Sequence, residues 1–116
     1  MRIMTYPVEQ GRDITDFGSS GVKFCPLTRI GRGGVAVMHV AAGGEIGRHP
    51  ATVDQLFVVV AGRGSVCGHD GVWEPIATGK AAFWAAGEEH TTRADEPLVA
   101  VVIEVSQETV ANHPAS

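Results

Sequence analysis

Basic residues are scarce in this 116-residue chain: 9 Lys+Arg stand against 13 Asp+Glu, for a formal net charge of −4. The basic stripe that grips a phosphate backbone is missing, which excludes nucleic acid as a partner. Long apolar runs are missing too. The longest, Leu56–Ala61 and Leu98–Ile103, fall far short of the roughly 20 residues a helix needs to cross a bilayer, so no membrane partner is expected. Met1–Pro7 lacks the apolar stretch of a secretory signal, which points to the cytoplasm. Two cysteines, Cys25 and Cys67, make no disulfide framework and read as small core residues in a reducing compartment. There is no Cys-x-x-Cys, no Gly-rich phosphate loop leading into a helix, and no Ser-His-Asp order within a supporting motif. The enzyme classes built on those devices are set aside.

What the chain does have is apolar content and punctuation. A hydrophobic fraction of 44% supplies the core of one compact domain. Fifteen glycines and six prolines cut the chain into short pieces, and no piece holds a 3.6-residue apolar period over three turns. Alternating or continuous apolar stretches appear at Val22–Arg29, Val35–Ala42, Gln55–Ala61, Ser65–Cys67, Val72–Ile76, Lys80–Trp84, Thr91–Arg93 and Leu98–Val105. Pro26 marks an edge or a bulge in the first of these. Asp70-Gly71 marks a hairpin, because such turns need positive φ. About eight closely spaced strands predict an antiparallel sandwich or barrel. The expected division is an N-terminal arm over 1–20, a barrel over 21–106 and a polar tail over 107–116.

Leu56–Ala61 and Leu98–Ile103 are apolar at successive positions, hence on both faces of a strand. A lone small barrel should be apolar inside and polar outside. The outward faces therefore need a cover, either a second copy of the chain in a homodimer or residues 1–20 folded back over them.

Two spaced sets of glycine and histidine carry a resemblance. Gly43 is followed by His49, Ala51, Gln55 and Gly62; Gly79 is followed by Ala85, Gly87, His90 and Ala94. This resembles the cupin family, whose motifs read Gly-x5-His-x-His-x(3–4)-Glu-x6-Gly and Gly-x5-Pro-x-Gly-x2-His-x3-Asn. Six positions match by identity and Gln55 is a near match, while Ala51, Ala85 and Ala94 depart. The resemblance implies an all-β double-stranded β-helix, the jelly-roll barrel, and three histidines and a glutamate around a divalent transition ion (Zn, Ni, Mn or Fe). Carried over residue by residue, it leaves His49, Gln55 and His90 as metal ligands and loses one imidazole to Ala51.

Strand geometry agrees with that grouping: residues two and four apart share a face, so His49, Ala51 and Gln55 point one way if Val53 does not bulge. Ala51, Phe57, Val59 and Trp84 are expected to line the pocket, and His39, which interrupts an apolar alternation, is the candidate replacement ligand or pocket residue. Glu88 and Glu89 read as solvated turn carboxylates, and Arg48 and Arg93 as pointing away from the lumen. A carboxamide in place of a carboxylate removes a unit charge, worth several kcal/mol beside a divalent ion even at an effective dielectric of about 20. Two functions follow. One is a degenerate, weakly occupied metal site acting on a small organic substrate as an oxidoreductase or isomerase. The other is a metal-free barrel that binds a small molecule without catalysis.

Overall fold

The computed structural model describes residues 1–106; the tail expected at 107–116, with His113, lies outside the described residues. Nine strands are present among them: β1 Arg12–Ile14, β2 Ser20–Ile30, β3 Gly33–Pro50, β4 Asp54–Ala61, β5 Arg63–Cys67, β6 Trp73–Ala77, β7 Ala81–Trp84, β8 Glu89–Ala94 and β9 Leu98–Val105. Every pairing is antiparallel. One sheet runs β6-β5-β8-β3-β9-β4-β7, with β2 and then β1 added beside β3, and it rolls into a nearly closed barrel.

The eight expected strands are all there, and the differences have local causes. β1 escaped because Arg12-Asp13-Ile14 has no apolar alternation to show. At Pro26 the β2–β3 ladder slips between Pro26 and Thr28, the bulge expected of a residue that cannot donate to a ladder. The strand at Val35–Ala42 runs on to Pro50. Its apolar pattern stops at Gly43-Gly44, but the backbone stays extended after a bend at Gly43, whose φ of 77° suits glycine. That bend lets one strand serve two neighbourhoods: Gly34–Val40 pairs with β9, and Glu45–Pro50 pairs with β8. His49 therefore lands opposite His90, although the two stand far apart in sequence.

The lumen takes alternate residues. Phe57 and Val59 of β4, Val40 of β3, and Leu98, Ala100 and Val102 of β9 are all buried in one apolar cluster, each large side chain contributing about 1.5–3 kcal/mol. On the outer face the N-terminal arm covers part of the sheet. His39 Nε2 donates to the Tyr6 carbonyl at 2.9 Å, and Cys25 Sγ lies 3.7 Å from the Pro7 carbonyl. Both cysteines are buried and unpaired. The arm leaves Leu56, Val60 and Phe83 exposed on β4 and β7, beside the outward Val58, Val101 and Ile103.

Candidate functional site

A small chamber of about 30 Å³ sits inside the barrel, walled by His49, Gln55, Trp84, His90 and Thr92 together with Met38, Ile46, Phe57 and Val102. The rings of His49 and His90 lie 4.4 Å apart between centroids, tilted by 56°. His49 comes from the end of β3, Gln55 from the start of β4 and His90 from β8, so three strands that are separate in sequence meet at one point.

Each imidazole is held from behind. His49 Nδ1 donates to its own strand's Gly47 carbonyl at 2.7 Å, and His90 Nδ1 donates to the Glu88 carbonyl at 3.2 Å. A carbonyl only accepts, so both rings carry the proton on Nδ1 and leave Nε2 as the free nitrogen. Aromatic rings fix their planes: Trp84 stacks on His90 at 4.2 Å and 20°, and Phe17 stacks on His49 at 4.6 Å and 9°. Burial drives the pKa of His90 down to about 4; the Glu88 carbonyl opposes this and the neighbouring His49 adds to it. His90 is therefore uncharged at neutral pH.

Met38, Ile46, Thr92 and Val102 line the chamber without having been named from the sequence, and outside its wall Phe17 and Glu88 hold the two imidazoles in ways the sequence did not announce. Phe17 covers the outer side of the His49 ring with 59% of its own surface exposed. It holds a left-handed backbone at φ 60°, a conformation that costs a residue with a side chain on the order of 1 kcal/mol. Its turn can dock only because residue 47 is glycine: a Cβ there would collide with the Phe17 carbonyl, and the Gly47 N–H donates to Ser19 Oγ at 3.0 Å. The signal available in sequence was an aromatic beside a glycine, Phe17-Gly18, outside both motifs. Glu88, read as a solvated turn residue, is a brace. Its carboxylate accepts the N–H of Ala85 at 3.2 Å and of His69 at 3.4 Å, and its carbonyl takes Ala51 N–H as well as His90. The Ala85 bond explains one departure from the motif, since proline at that position has no N–H to give.

The other expectations fall out as follows. His39 is turned away from the chamber: Met38 takes the lumen face, and strand alternation puts His39 on the outer face under Tyr6. Of the four expected lining residues, Phe57 and Trp84 reach the chamber; Ala51 and Val59 are buried in the surrounding core. Ala51 sits past the end of β3, bonded through its own N–H and carbonyl to Glu88 and Gly87. Arg48 and Arg93 stay outside, against Glu89 at 3.6 Å and Glu45 at 2.6 Å. Trp73 lies under the Arg93 guanidinium at 4.3 Å and takes no part in the chamber.

A rolled antiparallel sheet with paired histidines at its centre defines a class of small barrel proteins. The cupin domain profile matches residues 36–105, and the chain belongs to the cupin family. Solved structures of the same fold include a predicted oxalate decarboxylase from Thermotoga maritima, at 21% identity over 88% of this chain and all of that one, with a TM-score of 0.69. The cupin domain of Schizosaccharomyces pombe Cnp3 matches at 14% identity, covering 77% of this chain and 67% of that one, with a TM-score of 0.70. A cupin superfamily protein from Desulfitobacterium hafniense matches at 14% identity, covering 74% and 78%, with a TM-score of 0.68. At these identities the likeness concerns the fold alone. No curated protein matches the sequence.

Family membership raises the question of a metal ion, and the chamber wall answers on its chemistry. It offers two imidazoles and a carboxamide, with no carboxylate or thiolate. Among the described residues no three His, Cys, Asp or Glu side chains converge as a ligand set. Divalent ions held firmly by proteins have at least three good donors, with anionic charge or a third imidazole among them. These residues do not fit a resident ion.

Proposed function

We propose that this cupin is a small-molecule binding module that works without a resident metal ion and without catalysis. The lining of the chamber carries this reading: it has no anionic donor, and its volume of about 30 Å³ has room for water and no more. Organic ligands occupy some 300–1,000 Å³, so the ligand binds outside the chamber. The test is metal dependence. Prolonged EDTA treatment should leave the melting temperature unchanged, and Zn, Ni, Mn or Fe salts at one equivalent should not raise it. A metal content near one per chain that disappears in the His49→Ala/His90→Ala double variant overturns the proposal.

One observation favours the second reading, a weak divalent transition-metal site supporting oxidoreductase or isomerase chemistry. Both Nδ1 atoms are anchored to carbonyls, the arrangement that orients histidine ligands elsewhere. Under that reading, excess metal stabilises the wild type and not the double variant.

We also propose that the protein is a cytoplasmic homodimer. Its two buried thiols are unpaired, and the outer face of β4 and β9 stays apolar where the arm ends. Leu56 opposes Ile103 and Phe83, and Val58 opposes Val101, which suits a second copy better than water. Light scattering at micromolar concentration should give twice the 12.2-kDa chain mass, and Val58→Asp should halve it. A wild-type mass of one chain ends the dimer proposal.

A further inference from the structure

The seven-strand path of the sheet ends in two edge strands, β6 and β7, and they face each other across a cleft. β6 and β7 leave the Thr78–Lys80 turn together but bond to different partners, β6 to β5 and β7 to β4. No ladder joins them, so they splay, and a cleft of about 550 Å³ opens between Glu74–Ile76 on one side and Ala81–Trp84 on the other. Gly68–Asp70 and Glu88 form its third wall. The volume lies in the range of small-molecule sites.

The back of this cleft holds a donor with no protein partner, open to the cleft's solvent. Trp84 is only 4% exposed, and one face of its ring is taken by His90 while Phe57 packs against it at 5.8 Å. Its indole N–H makes no hydrogen bond among the described residues, and because no buried side-chain N or O there lacks a partner, this donor is open to solvent in the cleft it lines. It borders the cleft at Gly68. A Cβ on Gly68 would stand 3.9 Å from Trp84 Nε1 and 2.9 Å from Glu88 Oε2, so the missing side chain leaves a gap into which both groups look. Glu88 is held there by Ala85 and His69 N–H groups, and its carboxylate keeps lone pairs to spare. A donor and an acceptor thus stand side by side over a glycine. A hydroxyl group satisfies both, accepting from the indole and donating to the carboxylate.

The rest of the lining selects among hydroxylated molecules. Asp70, Glu74 and Glu88 face a single ammonium, Lys80, so the field disfavours an anion. Ile76 and Ala82 offer apolar surface to C–H groups. We propose that the β6–β7 cleft is a binding site for a small neutral polyhydroxylated ligand of the sugar or cyclitol class, anchored by one hydroxyl between Trp84 Nε1 and Glu88. This rests on the binding-module reading and gives its ligand a place and a chemistry.

The experiment follows the two indole N–H signals in ¹H–¹⁵N spectra of the full chain, assigned by Trp84→Phe. D-glucose, D-galactose and myo-inositol are the probes, with D-gluconate as the charged comparison. At least one neutral probe should move the Trp84 signal saturably at about 10 mM or below, leaving the Trp73 signal in place. Calorimetry should show binding of that probe weakened about tenfold or more by Trp84→Phe and by Gly68→Ala, and gluconate weaker than the neutral probes. A Trp84 signal unmoved by all three, or a folded Gly68→Ala variant that binds as wild type does, overturns the inference. A probe that shifts only His49 and His90 also overturns it, yet leaves the binding-module reading standing; that reading fails separately, on the metal test.

Discussion

Gln55→Glu should give this protein the metal affinity its own sequence withholds, with Zn binding at least about 100-fold tighter than in the wild type. The substitution is close to isosteric, and it acts at the one chamber residue whose motif counterpart is a carboxylate. Gln55 already shares the chamber wall with His49 and His90. Both imidazoles already have their Nδ1 protons engaged behind them, so no tautomer has to change. What changes is charge. A carboxylate completes a two-histidine, one-carboxylate set, the composition of many zinc sites, and at contact distance its attraction for a divalent ion amounts to several kcal/mol at an effective dielectric of about 20. The same variant without metal should be less stable than wild type near neutral pH, because it puts a carboxylate at a half-buried position with no cation beside it. Competition titration against a fluorescent zinc chelator measures the first effect and thermal melting the second. Equal zinc affinity in variant and wild type would mean that residue 55 does not reach the imidazole pair.

The experiment also marks how far the sequence could be read. The barrel was legible because its strands are short, alternate cleanly and are separated by glycines in conformations that glycine favours: Gly62, Gly79 and Gly87, three of the motif positions, all have positive φ. The pairing of His49 with His90 was legible through motif spacing. Three things were not. His39 sits on an alternating strand whose phase relative to the lumen depends on the neighbours it pairs with, and one step of phase put it under the arm. Phe17 acts through a contact from outside the motifs, and nothing local reveals that its carbonyl will rest on Gly47. The volume of the chamber depends on how Met38, Ile46 and Trp84 fill space together, a property of packing that no single position encodes. The β6–β7 cleft is equally a product of topology, since it exists only because two consecutive strands join opposite edges of the sheet.

Acid should destabilise the protein through His90 specifically. In the unfolded chain this imidazole titrates near 6.5, and in the barrel its pKa is pushed down to about 4, chiefly by burial. Between those values the unfolded chain binds a proton that the folded one refuses, so stability increases with pH in that window. The contribution is whole above pH 6.5, falls away as the pH drops, and is gone below 4. A difference of this size corresponds to roughly 3 kcal/mol, a large share of the 5–15 kcal/mol typical of a domain. Carboxylates titrate at the lower end of the same range, so the effect is read as a difference between proteins. Denaturant unfolding of wild type and His90→Gln across pH 4 to 7 should give curves that converge toward acid. The variant loses packing against Trp84 at every pH, but it lacks the proton-linked loss, and its amide can still donate to the Glu88 carbonyl. Parallel curves would show that His90 accepts a proton in the folded state as readily as in the unfolded one. Water would then be reaching this imidazole in the folded protein in spite of its packing against Trp84 and His49.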